Sequence, residues 1–442
     1  MLHSAFARKH FYFLTLLLFC STSVSALDLI DVNSKLSDVF SSFDDDNEGT
    51  TVFRSLNIPA GGRAESLGTA VTGLCDDITF FDYNPAGSAV LDNTELAFFH
   101  NAWIADSAME TLQGTIRQNN LGLGLQLKCF YVPFTEYNLF GDKVAGSYYS
   151  ETSAAFNMSY NFLSGYNFKG LALGYTVRAA WRSMPDYTDN QTDEIKSGSG
   201  LAQSAFGAMA DLGLLVRFNL FKHFDSTDPN FKFGLAVNNI GLALTGFSSE
   251  LQLDDSLPTR LSTGFSYRPF KNLLFTGEFR QPVNLLDIKS TQKFSFATGA
   301  EINVTKFFDF EAGFQLSGAN PRFSIGSQFD IKGIKMNVNY TLDLTSSFNP
   351  VNHISLAARL VTGDRGRSKV KAAVNRKYAE GVTLYAKGDR ENIRRAIEKW
   401  DEARTLSKTI GIKFDPAIEA MTAAMELLSA HDKINSFGTL EK

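Results

Sequence analysis

The sequence predicts an all-β membrane protein: an antiparallel transmembrane β-barrel of about fourteen strands with an N-terminal luminal hatch, plus a small C-terminal α-helical domain. Three observations predict it. From residue 93 onwards apolar and polar residues alternate with a period of two over unusually long segments. The connections between those segments are short on one side and long on the other. The chain opens with an export signal yet holds no later apolar run long enough for a membrane helix.

The signal is expected in residues 1–26. Arg8, Lys9 and His10 precede the apolar run Phe11 to Phe19, and Ser23-Val24-Ser25-Ala26 offers small residues for cleavage. That run is shorter than the roughly 20 residues a membrane anchor needs. Cys20 leaves lipidation as an alternative, which the bulky Phe19 before it opposes. Residues 27–55 contain the acidic run Asp44-Asp45-Asp46-Asn47-Glu48 and no apolar period, so they read as an acidic periplasmic leader.

Residues 56–92 are rich in Gly and Ala and fit neither a strand nor a surface helix. They read as a compact hatch of tight turns placed inside something, entering from the periplasm.

The barrel is expected over residues 93–361. Leu171, Leu173, Tyr175, Val177, Ala179 and Trp181 alternate with Ala172, Gly174, Thr176, Arg178, Ala180 and Arg182. Phe308, Phe310, Ala312, Phe314 and Leu316 alternate likewise with Asp309, Glu311, Gly313 and Gln315. Segments of about 10 to 14 residues suit a tilted crossing of a bilayer better than a soluble sandwich, whose strands run to about 5 or 6. The fourteen segments centre near Phe98, Leu112, Leu125, Phe156, Tyr175, Leu212, Leu235, Phe265, Phe275, Ala300, Ala312, Ser327, Val338 and Leu356. Even-numbered connections such as Asn119-Asn120 and Lys332-Gly333 are tight, whereas Pro133 to Tyr149, Ser183 to Gln203, Gly246 to Leu257 and Pro282 to Gln292 are long. Parity places Cys129 on the lipid face and Cys75 in the lumen, both as free thiols. Inward-facing Arg178, Arg182, Glu301, Asp309 and Glu311 either line a permeation path or simply pair with one another.

Residues 362–442 change to Ala, Lys, Arg and Glu at helical spacing. Tyr378, Gly381, Leu384, Gly388, Ala396, Trp400 and Ala403 resemble one irregular tetratricopeptide unit, and Asp415-Pro416 opens a further helix. A unit this small is expected in the periplasm, where a protein partner would complete its packing.

The composition excludes several functions. A net charge of −5 gives no case for nucleic acid. The six His are scattered without a triad or a metal set, so no catalytic residue, metal or cofactor is expected, and no enzyme activity. Asp76-Asp77 read as a metal or acid/base pair only weakly; structural hydrogen bonding within the hatch is the preferred reading. Asn84-Pro85-Ala86-Gly87 is by itself a turn.

Ile58 to Ala64, Leu67-Gly68, Asp76-Asp77 and Tyr83 to Gly87, followed by Glu95-Leu96, Trp103 and Asp106, resemble the start of the PorV/FadL-like outer-membrane proteins. The resemblance implies a hatch whose gate residues are Asp76, Asp77, Tyr83, Asn84, Pro85, Ala86 and Gly87. It also implies one of two functions. FadL-type members take up hydrophobic molecules such as long-chain fatty acids passively, through a lateral opening in the wall. PorV-type members serve as scaffolds or secretion accessories that bind protein partners. The expected partners are therefore outer-membrane lipid, a hydrophobic small molecule such as a fatty acid, and a periplasmic protein for the tail. Cys75, Phe81-Asp82 and the helical tail depart from the family pattern.

Overall fold

The computed structural model describes residues 43–438, apart from 44, 48, 105, 139, 167, 185–186, 189–194, 197–204, 227, 246–255, 319 and 344–350. The export signal and Cys20 lie outside the described residues.

Fourteen strands form one closed antiparallel barrel. In chain order they are β1 (Thr94–Ala102), β2 (Ala108–Gln118), β3 (Leu121–Tyr137), β4 (Lys143–Phe162), β5 (Leu171–Ser183), β6 (Ala205–Phe218) and β7 (Phe231–Thr245). They continue as β8 (Arg260–Phe270), β9 (Leu273–Pro282), β10 (Ser295–Asn303), β11 (Phe308–Ser317), β12 (Asn320–Ile331), β13 (Ile334–Asp343) and β14 (Val351–Gly363). Every expected segment centre from Phe98 to Leu356 falls inside its strand. A minimal ribbon, Tyr187–Thr188 with Ile195–Lys196, lies between β5 and β6. Pairing of β1 with β14, Leu96 opposite Leu360 and Phe98 opposite Ala358, closes the sheet and leaves it without an edge.

The alternation in sequence becomes two faces. On β3, Leu125 and Leu127 are exposed while Gln126 and Lys128 are buried; on β14, Ile354 and Leu356 are exposed while His353 and Ser355 are buried. Apolar outside and polar inside is the reverse of a soluble sandwich and matches outer-membrane barrels. Cys129 is half-buried on the outer face, Cys75 is buried inside, and both are free.

One expectation needs correction. The long connection expected from Pro133 to Tyr149 is mostly strand, because β3 and β4 stay in register as far as Glu136 opposite Ala145 and, past an irregularity, pair Tyr137 with Lys143. Pro133 is tolerated there because β2 stops at Ala108 opposite Tyr131, so the distal part of β3 has no second neighbour that needs its N–H. The described end of the leader, from Asp45 on, packs among the long connections. Asp45 accepts from Lys293 N at 2.6 Å and Asn47 O accepts from Gln292 Nε2 at 3.1 Å, at the end of the long connections and opposite the tail. Two apolar residues, too few to make a period, anchor it: Val52 and Phe53 pack with Leu56, Ala180, Ala205, Met209, Ala243 and Leu257. From this anchor the chain runs through the lumen, including the short helix α1 (Arg63–Ser66), and reaches β1 at the opposite end.

The tail forms three helices, α2 (Arg367–Tyr385), α3 (Arg390–Thr409) and α4 (Asp415–Gly438). Val374, Ile393, Ala396, Trp400, Ala403, Phe414, Ala417 and Ala424 make its core. A Cβ on Gly381 would lie 2.4 Å from Trp400 Nε1, so only glycine lets α2 approach the indole, which donates to Tyr378 O at 3.1 Å. The unit docks on the tight turns of the barrel. Asn120 Nδ2 donates to Gly411 O at 2.8 Å, Tyr166 N donates to Lys413 O at 3.0 Å, and Phe414 packs edge-on against Tyr166. Trp400→Ala should cost about 3–5 kcal/mol, more than so small a core can lose. Circular dichroism should show the helical signal melting early while the heat resistance of the barrel is kept. Simultaneous loss of both signals would mean that tail and barrel fold as one unit.

Candidate functional site: the luminal plug and the vestibule above it

The segment from Val52 to Leu91 is almost wholly buried inside the barrel. Its turns are capped by its own side chains. Asp77 accepts from Thr79 N at 2.9 Å to start the turn Ile78–Asp82, and Asn84 accepts from Ala86 N at 3.1 Å to start Pro85–Ala89. Pro85 occupies the first position of that turn, where its missing N–H costs nothing. Asn84 Nδ2 reaches outward as well, donating to Thr72 O at 2.8 Å and to Leu214 O of β6 at 3.0 Å.

The plug meets the wall at a girdle of inward-facing glycines. Gly326 meets Ser66, Gly313 meets Gly68, Gly299 meets Leu67 and Gly264 meets Gly73. Gly234 then meets Thr72, Gly213 meets Asn84, Gly174 meets Pro85 and Gly122 meets Ser88. A Cβ on Gly313 would come within 2.0 Å of Gly68 N, and one on Gly122 within 2.1 Å of Ser88 C. Backbone therefore lies on backbone from β11 back to β3, with Gly326 of β12 taking the Ser66 side chain, and the plug winds around the inside of the wall.

Charge pairing completes the attachment. Arg63 is the hub: its guanidinium lies 2.6 Å from Asp76, 3.0 Å from Asp77, 2.6 Å from Glu301 of β10 and 3.9 Å from Glu311 of β11. Arg359 of β14 holds Asp77 at 2.8 Å, and Lys128 of β3 holds Asp82 at 3.1 Å. Burial pushes the Asp77 carboxyl up, but Arg359 and Arg63 outweigh it and hold the group below the usual carboxylate range. Asp82 is likewise held down by Lys128 and Arg178 against its burial. Burial pushes the Cys75 thiol well up, so it is not a reactive thiolate.

Of the residues singled out in the sequence, Asp76, Asp77, Tyr83, Asn84, Pro85, Ala86 and Gly87 all lie in the plug. Arg178, Glu301 and Glu311 reach it or its ion pairs, Arg178 through Asp82 at 3.8 Å and Asp211 at 3.4 Å. Asp309 bonds instead to Asn303 and Gln328 within the wall, and Arg182 lies on the same inward face towards the other end of β5. Sequence reading missed the hub Arg63, its counterpart Arg359 and the girdle. The signal for the girdle was there: an inward glycine recurs in eight strands, but its common level emerges only from the register.

Above the girdle, towards the long connections, lies a cavity of about 500 Å³. Arg54, Arg260, Arg280 and Arg322 line it with Trp103, Phe130, Tyr149, Leu257, Glu151 and Asp343. Arg322 Nε lies 2.6 Å from Asp343, and its guanidinium stands 5.5 Å over Trp103, which stacks on His353. Arg260 donates to Asn57 at 3.2 Å and to the Asp82 carbonyl, with no carboxylate partner among the described residues. The cavity is amphipathic with a cationic excess and falls in the size range of small-molecule sites.

A family model described as an uncharacterised protein family, UPF0164, matches residues 30–364. The chain belongs to the UPF0164 family. The matched span ends one residue past β14, before the helical tail. A UPF0164 protein of Treponema pallidum (strain Nichols) is 28% identical over 406 residues, covering 90% of this chain and 88% of its own. A second from the same strain is 25% identical over 405 residues, covering 87% and 78%. Among solved structures, the CymD monoaromatic hydrocarbon channel aligns with a TM-score of 0.46 at 13% identity, over 68% of this chain and 96% of its own. The Pseudomonas putida toluene transporter TodX aligns with a TM-score of 0.41 at 12% identity, over 66% and 96%.

Asn84→Ala would remove the amide that bridges the Thr72 carbonyl of the plug to the Leu214 carbonyl of the wall and would remove a cap, a loss of about 1–3 kcal/mol. Vesicles carrying this variant should leak a small entrapped dye faster than wild type, with the barrel still heat-resistant. Unchanged leakage would make Asn84 part of a static filler.

Proposed function

We propose that this UPF0164 member is an outer-membrane barrel that takes up small hydrophobic or amphipathic molecules passively, with the luminal plug as its gate and the helical tail on the periplasmic side. The observation that carries the reading is the 500 Å³ amphipathic cavity directly above a plug that interrupts the lumen. A ligand collected there meets the plug next, so passage requires the plug to shift. The apolar exterior of the closed barrel supports placement in a bilayer, and the short connections on the tail side support a periplasmic position for the tail. The likeness of residues 58–106 to PorV/FadL-like sequences supports a transport role at the level of motif.

Purified protein in liposomes, given fluorescent long-chain fatty acid outside, should accelerate its entry over protein-free vesicles. Equal rates with and without protein, for fatty acid and for a monoaromatic hydrocarbon alike, would sink the transport reading. One observation favours the alternative, a PorV-like scaffold: the plug is held by close contact with glycines of eight strands as well as by buried ion pairs. Under that reading the tail binds a periplasmic protein partner, and deleting residues 365–442 abolishes its capture without any effect on uptake.

A further inference from the structure

At the tail end of the lumen three arginines converge from separate parts of the fold: Arg117 near the end of β2, Arg217 near the end of β6, and Arg367 at the start of α2. Arg117 and Arg367 share one acceptor. Arg117 Nη1 donates to Leu91 O at 2.7 Å and Arg367 Nη1 to the same oxygen at 3.5 Å, so the two guanidiniums stand side by side. Arg217 Nη2 donates to Lys169 O at 2.6 Å; the same oxygen accepts from Asn161 Nδ2 at 3.0 Å, and Asn161 N donates to Asn120 O, next to the Asn119 O that takes Arg117 Nε at 2.9 Å. Arg117 and Arg367 are 7% and 8% exposed. Among the described residues no carboxylate forms an ion pair with any of the three; Asp92, Asp228 and Asp364 lie beyond ion-pair distance. The Nε atoms of Arg217 and Arg367 are buried and bond to nothing. Lys169, whose carbonyl Arg217 takes, and Lys371 line with Asp228 a cavity of about 70 Å³.

Two buried cations and a half-buried third, satisfied only by backbone carbonyls, are costly, and an oxyanion in their midst would remove both the repulsion and the unmet donors. The backbone carbonyls explain how the chain tolerates the cluster; they do not explain why three cations converge. We propose that Arg117, Arg217 and Arg367 form an anion site that takes a phosphate or carboxylate group. The bound group joins barrel wall, plug end and tail, because Arg117 and Arg217 belong to the wall, Leu91 ends the plug and Arg367 begins the tail. Occupancy therefore tightens the tail against the plug. The site lies at the opposite end of the lumen from the vestibule and does not depend on the uptake reading.

The test uses the full chain in a phosphorus-free detergent, with inorganic phosphate followed by ³¹P line broadening and calorimetry, and acetate as the carboxylate probe. Nanodiscs of phosphatidylglycerol or of phosphatidylcholine alone form the lipid arm. Saturable binding should appear, and Arg367→Gln should weaken it about tenfold. Arg376→Gln, on an exposed part of α2, should leave it unchanged. Arg367 lies outside the barrel strands, so its variant reads out even if Arg117→Gln fails to fold; Arg117→Lys, which keeps the charge, should retain most of the binding. Binding of inorganic phosphate or acetate supports a free anion as the ligand, and selective binding of phosphatidylglycerol supports a lipid headgroup. No saturable binding in any arm, or equal weakening by Arg376→Gln and Arg367→Gln, overturns the proposal.

Discussion

Oxidising the double variant Ser88→Cys/Ser159→Cys should bring fatty-acid entry down to the rate of protein-free vesicles, and reduction should restore it. Ser88 Oγ of the plug lies 2.6 Å from Ser159 Oγ of β4, and Ala89 N donates to the same Ser159 oxygen at 2.6 Å. Cysteine at both positions therefore meets the partner sulfur without moving the backbone by much. The cross-link is covalent, so plug and wall cannot separate there until it is reduced. The experiment belongs in a Cys129→Ser background, because Cys129 faces outward and could pair between molecules. Cys75 is buried and can remain. If the oxidised and reduced proteins carry fatty acid equally fast, the plug is no gate. A path would then have to pass it without displacing this segment.

The complementary experiment pushes the plug out. Gly122→Leu/Gly313→Leu places two side chains into backbone, since even their Cβ atoms would stand 2.1 Å and 2.0 Å from plug main-chain atoms. Overpacking of this kind costs about 1–3 kcal/mol at each site, and more where backbone must yield. The barrel is a closed hydrogen-bonded ring, whereas the plug is attached by its caps, its ion pairs and this contact. Strain at the interface therefore falls on the plug. Planar bilayers should show new channel openings with the double variant, while the barrel keeps its heat-resistant electrophoretic mobility. Gly114→Leu is the control: Gly114 faces outward, its nearest contact is Leu96 Cδ1 at 3.8 Å, and the change should be silent. A silent double variant with an intact barrel would show that the girdle is adaptable packing and not a lock.

The two results together separate the functional readings. A gate responds to both variants, with uptake lost on cross-linking and conductance gained on expulsion. A filler inside a scaffold gains conductance on expulsion but loses nothing on cross-linking. The ion pairs make the same distinction from another side. Arg63 joins Asp76 and Asp77 of the plug to Glu301 of the wall, so any displacement must separate buried charges. That is expensive unless the pairs are exchanged for new ones or for water as the plug moves.

Much of the barrel was legible because its rule is local. A strand with lipid on one side and lumen on the other must alternate, and the alternation of Leu171 to Trp181 or Phe308 to Leu316 depends on nothing distant. Turn positions followed from Asn119-Asn120 and Lys332-Gly333 for the same reason. Errors arose where a local rule was weak. Pro133 reads as a strand breaker until β2 is seen to stop short of it. Val52 and Phe53 are too few to set a period, so the packing of the leader's described end among the long connections was not foreseen. The tail helices were legible from composition and from Asp415-Pro416, but their seat on Asn120 and Tyr166 was not.

By itself the sequence determined the class of fold, the number of strands, which face of each strand meets lipid, and the motif that sets the plug apart. These depend on periodicity and on turn chemistry, which neighbouring residues carry between them. Only the tertiary structure decided how the plug is held: which eight glycines share a level, why Arg63 faces Glu301 across 238 positions of chain, and that Leu91 receives two arginines. The register between strands and the path of the plug bring these groups together. Both are properties of the closed ring, which no single segment contains.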